Sequence, residues 1–401
     1  MSDVLVVGAG LSGLAAAWYL AEAGDSVSIS IIDAAERPGG LIQTIATPHG
    51  PVETGASAFV RSARVDAIFA ALDLTPCSPL PSSRRRYIFR DGRARTWPLS
   101  PIETASTAVR FAGAWMARRS RANENDTVGT WGRRVLGVAA TEWLVGPALH
   151  GIYASPPDAL SARAIAASRP RGRRQMIAPP EGMGQLIERL HAVLTRRGVT
   201  FRFGATMTAD DLDPSRHTVV ATDAASAARL LARHAPGFSA AAARIRRAPV
   251  SPVTAFFEPH QNDLHGFGVL FPRAEGIAAL GVRFDADIFA RRGSLRVETW
   301  IYPSGAANAS ALAAAMRADR RVLTGIDAVP IDAYATMWPQ AIPIYDEAVL
   351  ATVAAQSSLP PWLAVAGNYL GKIGVAGLLD IAADAARRVG RKPNRSSLCP
   401  P

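Results

Sequence analysis

Blocks of apolar positions separated by polar turns run through the chain, and the first blocks predict a strand–helix–strand unit. The run Val4–Val7 predicts a buried strand, a segment with helical periodicity follows, and Val27–Ile32 predicts a second strand. Two later apolar runs, at 217–222 and 362–368, end on small residues and predict strands that return to the same sheet. A helix is predicted over 375–390, after the last return.

The middle of the chain divides into a helical part and a strand-rich part. Residues 61–184 combine proline breaks with helical periodicity, so we predict a mostly helical insertion. Residues 226–361 carry alternating patterns typical of an antiparallel-rich sheet, for example Thr254–Glu258, Ile277–Phe284 and Arg296–Tyr302. Asp285 and Asp287 alternate at the end of one such strand, which predicts a solvated edge.

A glycine-rich turn directly follows the first predicted strand. Gly8, Gly10 and Gly13 form the spacing G-x-G-x-x-G, which permits a tight turn, close approach of backbone N–H groups to a pyrophosphate, and close packing of the helix on the strand. Asp33 ends the second strand, where a carboxylate can accept hydrogen bonds from ribose hydroxyls. These elements are in register, so we predict a dinucleotide site; a βαβ unit that binds no nucleotide is the alternative.

A second glycine pair follows the acid. Arg37 precedes Gly39 and Gly40, and the tetrapeptide Val-Glu-Thr-Gly ends at Gly55. Together with the first turn, this order resembles the extended fingerprint of two-domain FAD oxidoreductases of the amine-oxidase type. The resemblance implies that the arginine and the second glycine pair run along the ribityl chain and the diphosphate of the flavin.

Composition excludes several classes of protein. Apolar residues make up 49% and charged residues 19% of the 401 positions, which indicates a globular chain. Two cysteines, Cys77 and Cys399, cannot form a disulfide framework or a cysteine-rich metal site, and no cluster has metal-ligand spacing. Their positions also argue against covalent attachment of a flavin through a core thiol. Neither a secretory pattern nor a membrane-spanning apolar run is visible, so we expect a cytoplasmic protein.

The formal net charge of +11 has three interpretations. The charge indicates contact with an anionic membrane surface, binding of an acidic substrate, or a bias of composition that has no function. The basic residues do not form one module interleaved with aromatic residues, so we expect no nucleic-acid partner. Arginines lie among tryptophans in 61–184, so the insertion either contacts the inner face of the membrane peripherally or forms a cap with a solvated basic face.

Four later motifs narrow the family. They are V-G-P-A-L-H-G-I-Y-A at 145–154, G-F-G-V-L-F-P at 266–272 with L-G-V-R-F at 280–284, W-P-Q-A-I-P-I-Y at 338–345, and G-N-Y-L-G-K-I-G-V at 367–375. In this order they resemble the FAD-dependent protoporphyrinogen/coproporphyrinogen oxidases of haem synthesis, over about 3–390. The resemblance implies an α/β, two-domain FAD oxidoreductase with a Rossmann-like FAD lobe, an antiparallel-sheet substrate domain and a helical insertion.

The same resemblance implies an activity and a set of contacts. The activity is oxidation of a porphyrinogen to a porphyrin in three two-electron steps, with hydride passing to N5 of non-covalent FAD and molecular oxygen yielding hydrogen peroxide. The flavin carries the chemistry, so no side chain is predicted as a catalytic acid or base. The implied substrate contacts are Arg86, Gly151, Phe267 and Leu270. The implied cofactor contacts are Gly8, Gly10, Leu11, Ser12, Gly13, Asp33, Ala34, Arg37, Gly39, Gly40, Gly55, Met207, Trp338, Gly367, Asn368, Ile373, Gly374 and Val375.

Each substrate contact has an alternative interpretation. Arg86 is either a propionate anchor or one more solvated arginine, and Gly151 either lies along the substrate or only permits a turn. Phe267 and Leu270 either line the macrocycle pocket or belong to the core. The chain as a whole is either a porphyrinogen oxidase, another flavin amine oxidase or desaturase of the superfamily, or an FAD- or porphyrin-binding carrier without turnover. Protoporphyrinogen and coproporphyrinogen are not distinguished, and the oligomeric state is open.

The predicted domains are discontinuous, because the later strands return to the first sheet. They are an FAD-binding domain at 1–60, 185–225 and 362–390, the insertion at 61–184, a substrate-binding domain at 226–361, and a flexible tail at 391–401.

Overall fold

The computed structural model describes residues 2–24, 27–168, 175–290, 294–303 and 308–390, and the tail predicted at 391–401 lies outside them. The strands are β1 Ser2–Val7, β2 Val27–Ile32, β3 Thr44–Thr47, β4 Gly50–Glu53, β5 Phe59–Val60, β6 Arg86–Arg90, β7 Arg93–Arg95, β8 Met176–Ile177, β9 Thr200–Arg202, β10 His217–Val220, β11 Arg247–Phe257, β12 Gly268–Leu270, β13 Gly281–Phe284, β14 Arg296–Tyr302, β15 Asp332–Ala335, β16 Trp338–Pro343 and β17 Leu363–Val365. The α-helices are α1 Leu11–Glu22, α2 Ala63–Ala71, α3 Pro101–Met116, α4 Val128–Val135, α5 Val138–Ala140, α6 Gly146–Tyr153, α7 Ala162–Ser168, α8 Met183–Arg196, α9 Ala224–Leu231, α10 Pro236–Ala243, α11 Asp285–Ile288, α12 Ala309–Thr324, α13 Glu347–Ala355 and α14 Val375–Gly390.

The predicted strand–helix–strand unit is the centre of a five-stranded parallel sheet with the order β17–β10–β1–β2–β9. Val7 pairs with Val220 on one side and with Ile32 on the other, so the carboxyl ends of these strands meet at one edge. Both predicted returns are confirmed as β10 and β17 of this sheet. Leu14 of α1 is fully buried against the sheet, as the apolar face of a crossover helix requires.

The strand-rich part forms a second sheet in the order β15–β11–β14–β13–β12–β6–β7, with β16 beside β11. Its pairs are antiparallel except β12 and β6, which run parallel. Helix α12 covers one face, where Trp300 and Met316 are buried. The parallel sheet, its helices and the β3–β4 hairpin form what we call the first lobe. The opposite face of the second sheet packs against this lobe, because Phe256 and Val297 contact Val52 of the hairpin. This two-lobed α/β architecture confirms the predicted fold class.

The predicted helical insertion also contributes two strands to the second sheet. β6 and β7 form a hairpin around Asp91 and Gly92, which both have positive φ (54° and 71°). Positive φ at both central residues matches the twist of the flanking strands, and Asp-Gly is its sequence signal. Phe89 of β6 then packs against Phe271, with ring centroids 5.8 Å apart. The insertion and the substrate domain share a sheet, and the boundary between them stays a prediction.

The solvated edge predicted for Asp285 and Asp287 is wrong. Asp285 is 3% exposed and accepts hydrogen bonds from Arg283 and Thr299. Asp287 Oδ2 lies 3.0 Å from Nη1 of Arg296. Asp285 compensates Arg283, two residues earlier in the chain, and also binds Thr299 of β14, whereas Asp287 compensates Arg296 of β14. The alternating pattern along one strand does not reveal the contacts with β14.

Within the described ranges, no helix combines the length and the apolar character needed to cross a membrane.

Candidate functional site

The first glycine turn brings α1 close to the carboxyl edge of the parallel sheet. Gly8 has a φ of +109°, and a Cβ there would lie 2.6 Å from the carbonyl oxygen of Ala221. A Cβ at Gly13 would lie 1.9 Å from the carbonyl oxygen of Gly8. Only residues without a side chain permit this approach, so both glycines have the structural roles expected from their spacing.

The second glycine pair packs on the first turn. The N–H of Gly39 donates to the carbonyl oxygen of Ala9 at 2.8 Å, and a Cβ at Gly40 would come 3.4 Å from Cα of Gly10. Arg37 lies over this pair and donates to the carbonyl oxygen of Gly40 at 3.3 Å. In front of Gly10 the space is open, since a Cβ there would meet nothing within 4 Å. No side chain caps the N–H groups of α1, so they are available to a phosphate.

Asp33 ends β2 and faces the first turn. Its Oδ2 accepts a hydrogen bond from the N–H of Ala9 at 2.5 Å, and its Oδ1 accepts one from the N–H of Ala35 at 2.7 Å. An ionised carboxylate offers about four acceptor positions, so capacity remains for ribose hydroxyls. The structure places this acid beside the turn, and its contact with ribose stays a prediction.

A cleft of about 850 Å³ opens above the two glycine turns and reaches residues of the second sheet. Most predicted cofactor contacts lie on its wall: Gly8, Gly10, Leu11, Ser12, Asp33, Ala34, Arg37, Gly39, Gly40, Met207, Trp338, Gly367 and Asn368. The cleft therefore brings together residues from the amino-terminal turns and from the last strand return.

The remaining predicted contacts are not on this wall. Gly13 lies beneath the first turn, and Gly55 packs so closely on Leu41 that a Cβ would come 2.5 Å from its carbonyl oxygen. Leu41 itself lines the cleft, as does Leu378 in the first turn of α14. Three predicted contacts lie just before Leu378: Ile373, Gly374 and Val375. Their contact with a cofactor stays a prediction.

An ion pair on the cleft wall escaped sequence reasoning. Nη1 of Arg247, on β11, lies 3.0 Å from Oδ1 of Asp223. Asp223 also caps α9 by accepting from the N–H of Ser226 at 3.2 Å. Burial opposes ionisation of Asp223, but the bonds from Ser226 and the charge of Arg247 outweigh it and hold its pKa below the ordinary value. The position of Asp223, just after a parallel strand, is a signal that the sequence offered.

Two hydrogen bonds hold the cleft wall in place at Trp338 and at Asn368. Trp338 Nε1, on the second sheet, donates to the carbonyl oxygen of Thr54 at 2.6 Å. The hydroxyl of Tyr345 donates to the carbonyl oxygen of Asn368 at 2.6 Å, and burial raises the pKa of this hydroxyl, so it stays a donor. The first bond ties the two lobes together beside the cleft, and the second holds the loop that follows β17.

The four predicted substrate contacts lie around β6 and β12 of the second sheet, and one of them, Gly151, belongs to helix α6. The guanidinium carbon of Arg86 lies 4.4 Å from the ring centroid of Phe267, a cation–π contact. Gly151 of α6 faces Leu270, because a Cβ there would lie 2.7 Å from Leu270 Cδ2. Arg86 is exposed, and Phe267 and Leu270 are half-buried, so these side chains border a surface. The structure shows their proximity, and their contact with a substrate stays a prediction.

Residues 11–235, more than half of the chain, match the family described as flavin containing amine oxidoreductase. The chain belongs to this family. It is therefore an oxidoreductase, and FAD is its cofactor. The residues around the first glycine turn of this chain fit FAD. The glycine cradle leaves open space at Gly10, the uncapped start of α1 suits a pyrophosphate, and the Asp33 carboxylate suits a ribose.

Relatives of this flavoprotein with assigned activities align over most of its length. A coproporphyrinogen III oxidase of Mycobacterium tuberculosis is 28% identical over 449 aligned positions, covering 96% of each chain. A protoporphyrinogen oxidase of Bos taurus is 24% identical, covering 73% of this chain and 75% of the relative. The similarity to porphyrinogen oxidases is therefore not confined to the motifs, and with the mycobacterial relative it covers 96% of each chain.

Solved structures of other flavoproteins show the same fold. A protein of Exiguobacterium sp. 255-15, provisionally assigned as a protoporphyrinogen oxidase, superposes with a TM-score of 0.77 at 20% identity, covering 97% of this chain and 98% of that one. A putrescine oxidase variant gives 0.73 at 14% identity, covering 96% and 98%. Structures with differently named activities therefore share this fold, so the substrate must be argued from the site.

Proposed function

We propose that this flavin oxidoreductase oxidises a porphyrinogen to the corresponding porphyrin. The observation that carries the proposal is that Arg86 contacts Phe267 and that Gly151 of α6 faces Leu270, both beside the paired strands β6 and β12. A guanidinium beside apolar side chains and a glycine suits a flat apolar ring with carboxylate substituents. The relatives named coproporphyrinogen III oxidase and protoporphyrinogen oxidase support the same substrate class.

An apolar row crosses the sheet beside Arg86. Ile88, Leu270, Gly281 and Ile301 are cross-strand neighbours on β6, β12, β13 and β14. The residues that alternate with them, such as Val269, belong to the core under α12, so the row lies on the opposite face, where Leu270 is next to Gly151 of α6. A surface of branched side chains and a glycine can receive the flat face of a macrocycle.

The overall reaction removes six hydrogen atoms from the porphyrinogen. FAD, when bound, supplies the redox chemistry by accepting a hydride at N5 in each of three two-electron steps, while a proton leaves the substrate in each step. With molecular oxygen as the acceptor, three O₂ become three H₂O₂ for each porphyrin. The chain binds and orients the substrate: Arg86 holds a carboxylate, and Phe267 and Leu270 support the ring.

Anaerobic mixing of the FAD-loaded protein with coproporphyrinogen III, and separately with protoporphyrinogen IX, tests the proposal. We expect bleaching of the oxidised flavin by at least one of them. Under air we expect porphyrin fluorescence above the autoxidation rate, with three H₂O₂ per porphyrin. Failure of both porphyrinogens to bleach the flavin would refute the proposal.

The same measurement separates the alternative functions. Bleaching by an amine or a polyene, with none by the porphyrinogens, would assign the chain to another oxidase or desaturase of the superfamily. Porphyrin binding without flavin reduction would assign it as a carrier.

We also propose that α3 contacts an anionic membrane surface. None of its residues is buried, and Ile102, Val109 and Met116 are 82%, 72% and 72% exposed. Their seven-residue spacing places them on one helix face. Arg118 and Arg119 follow directly and add positive charge at the same end.

Flotation with phosphatidylglycerol and with phosphatidylcholine vesicles tests this contact. We expect co-flotation with the anionic vesicles, and its loss in V109E. The matched control V322E introduces the same charge at a 56% exposed valine of α12. Equal flotation of both variants, or no flotation of the unmodified protein, would contradict the contact.

A further inference from the structure

Two pairs of arginines occupy opposite faces of the second sheet. Arg296 and Arg320 are 4% and 1% exposed and share Glu298 on the face covered by α12. Arg86 and Arg283 alternate with residues of that core, so their side chains leave the sheet on the other face, toward the first lobe. The buried pair has a structural role, whereas the second pair borders the proposed substrate slot.

Arg283 stands in the same cross-strand row as Arg86. Gly268 pairs with Arg86 on β6 and with Arg283 on β13, so the two arginines flank one glycine. Gly268 has a φ of +149°, and a Cβ there would lie 2.0 Å from the carbonyl oxygen of Val282, so no side chain fits between them. Two strand spacings separate the arginine Cα atoms by about 10 Å.

Asp285 orients the Arg283 side chain. Arg283 Nε donates to Oδ1 of Asp285, and Thr299 donates to Oδ2. Thr299 Oγ1 lies 2.8 Å from Thr254 Oγ1, which continues the network. Asp285, Thr299 and Thr254 are at most 3% exposed, whereas 17% of the Arg283 side chain is exposed. A guanidinium held from below in this way loses little conformational freedom when it binds a ligand.

We propose that Arg283 is a second carboxylate anchor of the substrate slot and that Asp285 is its positioning residue. This inference rests on the proposed function. Two guanidinium forks on one row, separated by a position without a side chain, suit a tetrapyrrole with at least two ionised carboxylates along its edge. The apolar row through Leu270 lies alongside for the ring itself.

Titration of the FAD-loaded protein with porphyrins, followed by the Soret band, tests the anchor without turnover. The probes are coproporphyrin III, protoporphyrin IX and coproporphyrin tetramethyl ester, which carry four, two and no ionisable carboxylates. For R283M we expect about tenfold weaker binding of the two acids, because charge-assisted hydrogen bonds are lost. Binding of the ester is expected to stay unchanged.

R93M is the matched control, because Arg93 on β7 is exposed and outside the row. It removes the same charge and is expected to leave all three affinities unchanged. R283K keeps the charge beside Asp285 but has no planar fork, so we expect an intermediate loss for the acids. If R283M does not retain FAD, the porphyrin affinities of R283K decide whether Arg283 is an anchor.

The outcomes separate this inference from the proposed function. If the unmodified protein binds and oxidises porphyrinogens, but R283M or R283K binds the acids as tightly as R93M does, Arg283 is not an anchor and the proposed function stands. Equal losses for acids and ester would also overturn the inference, because they indicate a shape change. If the unmodified protein neither binds porphyrins nor is bleached by porphyrinogens, both proposals fail.

Discussion

Replacement of Glu298 by glutamine tests whether the buried arginines Arg296 and Arg320 have a structural role that is separate from substrate binding. Glu298 has no exposed surface. Its Oε1 accepts from Asn262 Nδ2 at 2.8 Å and from Arg296 Nε at 3.4 Å. Its Oε2 accepts from Trp300 Nε1 and from Arg320 Nε, both at 3.1 Å. The change E298Q keeps the shape of the side chain but removes its charge and replaces one acceptor oxygen by an NH2 donor that faces other donors.

The expected cost follows from the partners that remain. Arg296 keeps Asp287 as a partner at 3.0 Å, but in the described part of the chain no carboxylate other than Glu298 pairs with Arg320. Arg320 is 1% exposed, so its charge would be left uncompensated in the interior. Removing one partner of a buried ion pair costs about 3–5 kcal/mol, and we expect a loss of unfolding free energy of this size.

Urea denaturation of the FAD-saturated protein, followed by tryptophan fluorescence, measures this loss. The matched control D327N removes the same charge from a pair with Arg317 that is half-exposed (42% and 56%) and should cost less than about 1 kcal/mol. R320M in the E298Q background should recover part of the loss, and porphyrin affinity should be unchanged throughout. Equal effects of E298Q and D327N would refute the reasoning.

Three further predictions concern the cofactor cradle, the substrate slot and the start of α3. G13V should abolish FAD retention after gel filtration, because even a Cβ would lie 1.9 Å from a carbonyl oxygen of the first turn. G151A should push Leu270 into the proposed substrate site and raise the KM for a porphyrinogen several-fold, and L270V in that background, which shortens the side chain but keeps it apolar, should lower the KM again. The hydrogen bond from Arg90 lowers the pKa of Glu103 from 4.5 to about 2. Since this folded-state pKa is depressed, the stabilisation is present above pH 4.5 and lost as the pH falls toward 2, so the thermal midpoint of E103Q should lie below that of the unmodified protein at pH 6 and approach it in acid.

Each of these predictions has a control and a contradicting result. G113A adds a methyl where nothing lies within 4 Å and should retain FAD; retention by G13V as well would contradict the cradle. A KM that stays high in the double variant G151A/L270V would show that Leu270 does not transmit the change. A difference between E103Q and the unmodified protein that is independent of pH would show that the carboxylate charge is not its cause.

The spacing of residues along the chain was sufficient to predict the geometry of the amino-terminal glycine turn and the acid beside it. Gly8, Gly13 and Asp33 act within one turn, one helix and one strand, so short-range geometry determines where they stand. The sequence by itself therefore determined the dinucleotide fold, the second glycine turn and the last strand return. The Asp91-Gly92 pair is a sequence signal for the β6–β7 hairpin that the helical prediction for 61–184 missed.

Only the tertiary structure decided what each charged residue of the second sheet does. Arg283 and Arg296 look alike in the sequence, since each alternates with apolar neighbours on a strand. One faces the first lobe and the other the core under α12, and that difference depends on what packs on each face. The hydrogen bond that the buried Asp285 accepts from Thr299 of β14 likewise depends on a neighbouring strand. A strand pattern tells which residues share a face, but the partner of that face comes from long-range packing, and so the proximity of Arg86, Arg283 and Leu270 became visible only in the folded chain.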